Sequence, residues 1–101
     1  MTKPIVWSPN AKNDLKRIKK YYDTRNQSSA FSKKLLKTFR DSAKLIEKFP
    51  LLSIPTEYEN VRGFVILDYI IFYEIMIEHI LILIVWDCRR DSEQLKIIMQ
   101  S

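Results

Sequence analysis

From residue 64 to residue 86 the chain is almost continuously apolar, and no other feature limits its fold so strongly. The stretch is long enough to cross a bilayer as one helix. Asp68, Glu74, Glu78 and His79 interrupt it, however, and each would be costly at the bilayer centre. Its Ile, Val, Tyr and Phe suit a pleated surface better than an isolated helix. The spacing predicts strands over 61–66, 69–76 and 80–86, turning near Leu67-Asp68 and Ile77-Glu78-His79 as an antiparallel meander. The last two are apolar on both faces, so they need cover on both sides, or on one side with the other left sticky. No membrane span is expected.

The cover comes from upstream. Residues 3–7 are short and β-prone. Ser8-Pro9 then reads as a helix start, with Ser8 as N-cap and Pro9 where its missing N–H does no harm. Ala11, Leu15, Ile18 and Tyr22 follow at helical spacing, with Lys12, Lys16, Lys19 and Lys20 around the outside. Residues 23–27 are a polar break, and Ser28 or Ser29 can cap a second helix. Phe31, Leu35, Phe39, Ser42/Ala43, Ile46 and Phe49 form its apolar stripe, with Lys33, Lys37, Arg40, Lys44 and Lys48 on the other side, and Pro50 ends it. Two such helices pack as an αα-hairpin. Residues 51–60 read as a loop. From Asp91, whose spacing to Gln94 resembles a capping box, a short C-terminal helix is expected over part of the second sheet face. The expected fold class is α+β, with an N-terminal strand and a helical hairpin packed on a small antiparallel sheet, as one domain over residues 1–101.

Charge adds a direction. Residues 1–50 hold thirteen Lys or Arg against four Asp or Glu, while residues 51–101 hold four against eight, which together give the net +5. A basic half of this strength suggests an acidic partner, either nucleic acid or polypeptide; a well-solvated helical face reads equally well. The lone Cys88 cannot form an internal disulfide, and the N-terminal residues lack the apolar run of a signal peptide, so a cytoplasmic setting is expected. Gly63 is the only glycine, which leaves no Gly-rich loop to cradle a nucleotide phosphate. One His and one Cys do not build a zinc site, and no metal or cofactor is expected.

Three segments carry a resemblance. IVWSPNAKNDLKRIKKYY (residues 5–22) resembles the opening of ParE/RelE-family toxins, with its apolar strand, W/F-S-x-x-A cap and D-L-x-x-I helix. FPLLSIPTEYENVRGFVILDYIIFYEI (residues 49–75) is similar to the family's proline after the second helix, its strand arginine and its Y-x-I-x-Y strand. ILILIVWDCRRD (residues 80–91) is similar to its apolar last strand ending in arginines. The resemblance implies a toxin neutralised by a cognate antitoxin whose acidic or amphipathic segment wraps it. It further implies one of two targets: mRNA on the ribosome, which the RelE branch cleaves, or DNA gyrase, which the ParE branch inhibits.

Metal-free RNA cleavage needs a base for the 2′-OH, an acid for the leaving oxygen and a stabiliser for the phosphate. RelE-branch toxins resembling this chain use strand lysines, an arginine on the next strand, another after the last strand, and a C-terminal Tyr or His. Here Arg62 stands on the first meander strand without a lysine, Ile70 occupies the position after Tyr69, and residues 92–101 contain no Tyr or His. Arg89 and Arg90 match the arginines at the end of the last strand. Arginine stabilises phosphate but is a poor base. Glu57, Glu59 and Asp91 remain as candidate bases. The departure favours the ParE-like branch over an mRNA endoribonuclease with a rearranged site; a non-toxic binding scaffold of the same fold is the third reading.

Arg62, Arg89 and Arg90 are the candidate target or phosphate contacts. The bland alternatives are an exposed strand arginine and local ion pairs with Asp87 and Asp91. Gly63 permits close backbone approach or marks a bulge. His79 reads as a solvated turn residue, Cys88 as a small packing residue, and Trp7, Trp86, Tyr69 and Tyr73 as core. A basic hairpin beside a partly uncovered sheet also points to a homodimer when the chain is free of its partner.

Overall fold

The computed structural model describes residues 3–90 and 92–95. β1 (Ile5–Trp7) leads into α1 (Pro9–Asn26) and α2 (Ala30–Lys48), and β2 (Ile54–Pro55), β3 (Val61–Ile66), β4 (Tyr69–Ile75) and β5 (Ile80–Asp87) follow. The sheet order is β1-β5-β4-β3-β2. The meander β3-β4-β5 is antiparallel as expected, and two short strands extend it at its edges. β2 lies antiparallel to β3, and β1 lies parallel to β5, which makes the sheet five-stranded and mixed.

Ser8 starts α1 as the sequence predicts, its hydroxyl oxygen accepting the Ala11 N–H at 3.0 Å. The same hydroxyl donates to the Leu83 carbonyl at 2.7 Å, tying the helix start to β5. The expected break at 23–27 is shorter than its composition suggests. α1 continues through Asn26 and stops only at Gln27, in the left-handed region at φ 52°. Asp23 is held inside the helix by Lys19 (2.5 Å) and by the Ser32 hydroxyl of α2. These bonds hold its carboxyl below the usual carboxylate range, the lysine contributing most. α2 ends at Lys48, with Phe49 as its C-cap just before Pro50.

The core lies between the hairpin and one sheet face, where Ile18, Phe39 and Ile46 meet Ile71, Tyr73 and Ile82. Val61, Phe72, Ile84 and Trp86 form a second cluster on the opposite face, against which Leu95 packs. Residues 92–95 are helical, in agreement with a short helix covering that face. The capping role read for Asp91 falls outside the described residues.

One irregularity explains the unbroken apolar run of β5. Phe72 pairs with Ile84 but Tyr73 pairs with Ile82, so Leu83 is an extra residue. Ile80 and Ile82 face the helices before this bulge. After it the alternation reverses, and Val85 faces the helices while Ile84 and Trp86 face away. Gly63 is not at the bulge. A Cβ there would sit 3.1 Å from the Ile70 Cγ2 and 3.3 Å from the Phe72 ring, so its place is a close side-chain approach. Cys88 is free and exposed, not a packing residue, because it lies beyond the end of β5. Tyr69, Tyr73 and Trp86 are buried, as read from the sequence.

Candidate functional site

β1 is too short to cover the whole of β5. Past Ile82 the outer edge of β5 has no strand neighbour, and exposed edge backbone is a liability. α1 covers it. Asp14, 9% exposed, accepts the Val85 N–H on Oδ2 at 2.9 Å and the Arg17 guanidinium on Oδ1 at 2.7 Å. This buried carboxylate fixes α1 against the last turn of the strand. The sequence reading met Asp14 only as the first residue of the D-L-x-x-I motif and gave it no role, because its partner Val85 is distant in the chain.

Where α1 leaves β5, a cleft of about 290 Å³ opens among Arg17, Tyr21, Tyr22, Tyr69, Asp87 and Arg89. Arg89 grips Asp87 twice, Nε to Oδ1 at 2.9 Å and Nη2 to Oδ2 at 2.8 Å, while its own backbone N–H donates to Oδ1 at 2.9 Å. This grip holds the Asp87 carboxyl below its ordinary range and raises the Arg89 pKa further. Arg89 also reaches the Tyr22 hydroxyl at 3.4 Å, which lies 3.4 Å from the Tyr69 hydroxyl. Burial raises the Tyr69 pKa. The bond to Tyr69, and after it the Arg89 guanidinium, lowers that of Tyr22. Arg90 takes another route, stacking over the Trp86 ring at 4.5 Å and donating to the Gln94 Oε1 at 3.3 Å. Arg89 and Arg90 thus leave one strand end on two sides: Arg89 towards α1, Arg90 over the second face.

Arg62 is elsewhere. It pairs with Tyr73 on β4, which pairs with Ile82. Asp87 by contrast pairs with Tyr69 at the other end of β4. At ~3.3 Å per residue and ~4.8 Å per strand, the two arginine sites are on the order of 15 Å apart. Arg62 donates from Nη2 to the carbonyls of Leu51 (3.1 Å) and Ser53 (2.5 Å). Its Nε is buried with no partner among the described residues. Tyr73 works beside it, donating to the Pro50 carbonyl at 2.6 Å and sharing a hydrogen bond with the Ser53 hydroxyl. Together they staple the segment after α2 to the sheet. Glu57 and Glu59 are exposed and line a shallow depression of about 340 Å³ with Arg62. The structure therefore brings Arg62, Glu57 and Glu59 together, and Arg89 with Arg90, but not the two groups. Asp91 lies outside the described residues. His79 is half-buried in the turn between β4 and β5.

Arginines, tyrosines and a carboxylate fixed by its own arginine can bind an anion and orient it. Among the described residues no group of His, Cys, Asp or Glu could hold a metal ion, and no helix is long and apolar enough to cross a membrane.

Comparison with solved structures finds the same fold in the chromosomal ParDE TA system from P. aeruginosa. The TM-score is 0.76 at 17% identity, over 85% of this chain and 96% of that chain. A comparison with curated proteins gives no match. The family model for the ParE toxin of the type II toxin–antitoxin system parDE matches residues 5–92. That span runs from β1 into the residues after β5, and the chain belongs to the ParE toxin family of type II toxin–antitoxin systems.

Proposed function

We propose that this chain arrests growth as a ParE-like poison of DNA gyrase in the cytoplasm, held inactive by a cognate antitoxin, and that residues 1–101 act as one domain. The reading is supported chiefly by the character of the β5 end. Arg89 and Arg90 supply positive charge there, but the neighbouring carboxylate is ion-paired to Arg89 and Tyr69 is pushed away from deprotonation by burial. The position after Tyr69 is Ile70, and Glu57 and Glu59 lie in the other depression, beside Arg62. Such a surface contacts a target more readily than it transfers protons.

The antitoxin has a natural seat at the end of the hairpin. Leu45, Phe49, Leu51, Leu52 and Ile54 are all exposed large hydrophobics, next to Lys44 and Lys48. An amphipathic acidic segment that folds on binding would bury the first set and neutralise the second. The same patch would support a homodimer when the antitoxin is absent.

The deciding experiment pairs induction of the chain in bacteria with purified assays. Growth arrest with filamentation, and stalled gyrase–DNA cleavage complexes on supercoiled plasmid in vitro, are expected of wild type and are relieved by Arg89→Ala with Arg90→Ala. Cleavage of mRNA on programmed ribosomes with gyrase untouched would replace this reading with the nuclease one. A folded chain without any effect on growth would leave only the binding scaffold.

A further inference from the structure

The cleft at the β5 end does not stop at α1. A second, shallower hollow of about 490 Å³ lies on the outer side of the helix, lined by Arg17, Lys20, Tyr21, Thr24 and Arg25. Arg17 and Tyr21 line both hollows. Tyr21 is half exposed, stands edge-on to Tyr22 with ring centroids 4.9 Å apart, and has its hydroxyl held by Arg25 at 3.1 Å. It is therefore a fixed aromatic wall with a hollow on either side. Arg17, Lys20, Arg25 and Arg89 line the two hollows, with Arg90 at the rim where it turns over Trp86; Asp87 is the one carboxylate in the lining, and Asp14 pairs with Arg17 beside it.

We infer that this two-hollow track across Tyr21 is a subsite for single-stranded nucleic acid, with one phosphate lodged at Arg89 and Arg17, the next at Lys20 and Arg25, and a base stacked on the Tyr21 ring. Alternation of cations with an exposed ring is the arrangement that binds strands without reading their sequence, since every base has a π-face. An acidic peptide would use the charges but has no need of the ring, which makes nucleic acid the better occupant. The inference is separate from the gyrase assignment, because the track would bind a strand whichever machine presents it.

The test is fluorescence anisotropy of a fluorescein-labelled eight-nucleotide oligothymidine titrated with the full chain at low and moderate salt. Tyr21→Leu keeps apolar bulk and removes the ring, and is expected to weaken binding about tenfold, as loss of one stacked base does. Lys20→Gln with Arg25→Gln should weaken it further as salt is lowered and flatten the salt dependence by between one and two phosphate contacts. Lys33→Gln with Lys34→Gln removes the same charge from α2 and should change affinity less than twofold. Circular dichroism confirms that each variant is folded. Equal loss from the α2 pair, or binding by Tyr21→Leu within twofold of wild type, overturns the inference. So does a preference for a polyglutamate peptide over the oligonucleotide, which would make the track an acidic-peptide site.

Discussion

The two ends of the sheet put the same residue to opposite uses. At one end Arg62 turns its guanidinium inward onto the carbonyls of Leu51 and Ser53, and Tyr73 fastens the same segment through Pro50. At the other end Arg89 faces a cleft with its side chain about half exposed, braced by Asp87 and Tyr22. An arginine bound to backbone carbonyls is an element of architecture. An arginine braced by a carboxylate at a cleft mouth is available to an anion. Sequence position alone treats both as arginines at strand ends, and only their hydrogen-bond partners separate them.

This contrast can be broken by substitution. The largest effect on stability is expected from Asp14→Ala, which leaves the buried Val85 N–H unpaired and frees α1 from the edge of β5. A loss of about 2–3 kcal/mol is expected in urea unfolding, and a loss under half of that would mean α1 is held there by apolar packing alone. Next, Arg62→Ala and Tyr73→Phe should each cost about 1–2 kcal/mol by leaving carbonyls of the post-α2 segment unsatisfied. Faster amide exchange over residues 50–55 should accompany that loss, with growth arrest preserved in Arg62→Ala. Arrest lost in Arg62→Ala but kept in Arg89→Ala would exchange the roles assigned to the two ends. Arg89→Ala itself should cost less than about 1 kcal/mol, because its partner pair is largely solvated, yet relieve arrest.

The smallest effect is one of pH. Asp87 titrates below its ordinary range because Arg89 stabilises its charge. Its contribution is complete above the unfolded carboxylate value of about 3.9 and is lost as pH falls through the lower folded value. Arg89→Ala should therefore flatten the fall in stability below about pH 4, measured as the acid dependence of the urea midpoint. An unchanged acid limb would show that Asp87 owes its low pKa to something other than Arg89.

Much of the fold was legible because its signals are local. Ser8-Pro9, Pro50 and the 3.6-residue stripes set both helices, and the apolar run set the three long strands. What was hidden depends on distant partners. β2 is two residues long and carries Pro55, so it has no pattern of its own and exists because β3 is beside it. The bulge at Leu83 is masked by the run that contains it, since an extra apolar residue among apolar residues leaves no mark. Arg89 and Arg90 were legible as site candidates from the strand end they follow. Tyr21 and Tyr22 were not, because they join the cleft only through the packing of α1 on β5, and the hold of Asp14 on Val85 depends on the same packing.

The parallel pairing of β1 with β5 has a consequence in time. Ser8 and Leu83, which hydrogen-bond to each other, stand 75 positions apart in the chain. On the ribosome the first strand must wait, unpaired, until nearly all of the domain has emerged before its neighbour exists. Closing so long a loop is entropically slow, and the cleft is completed by the strand that arrives last. A nascent or prematurely terminated chain therefore lacks both the neighbour of β1 and the cleft at the β5 end. On the proposed reading, that order of assembly leaves unfinished copies without a target-binding surface.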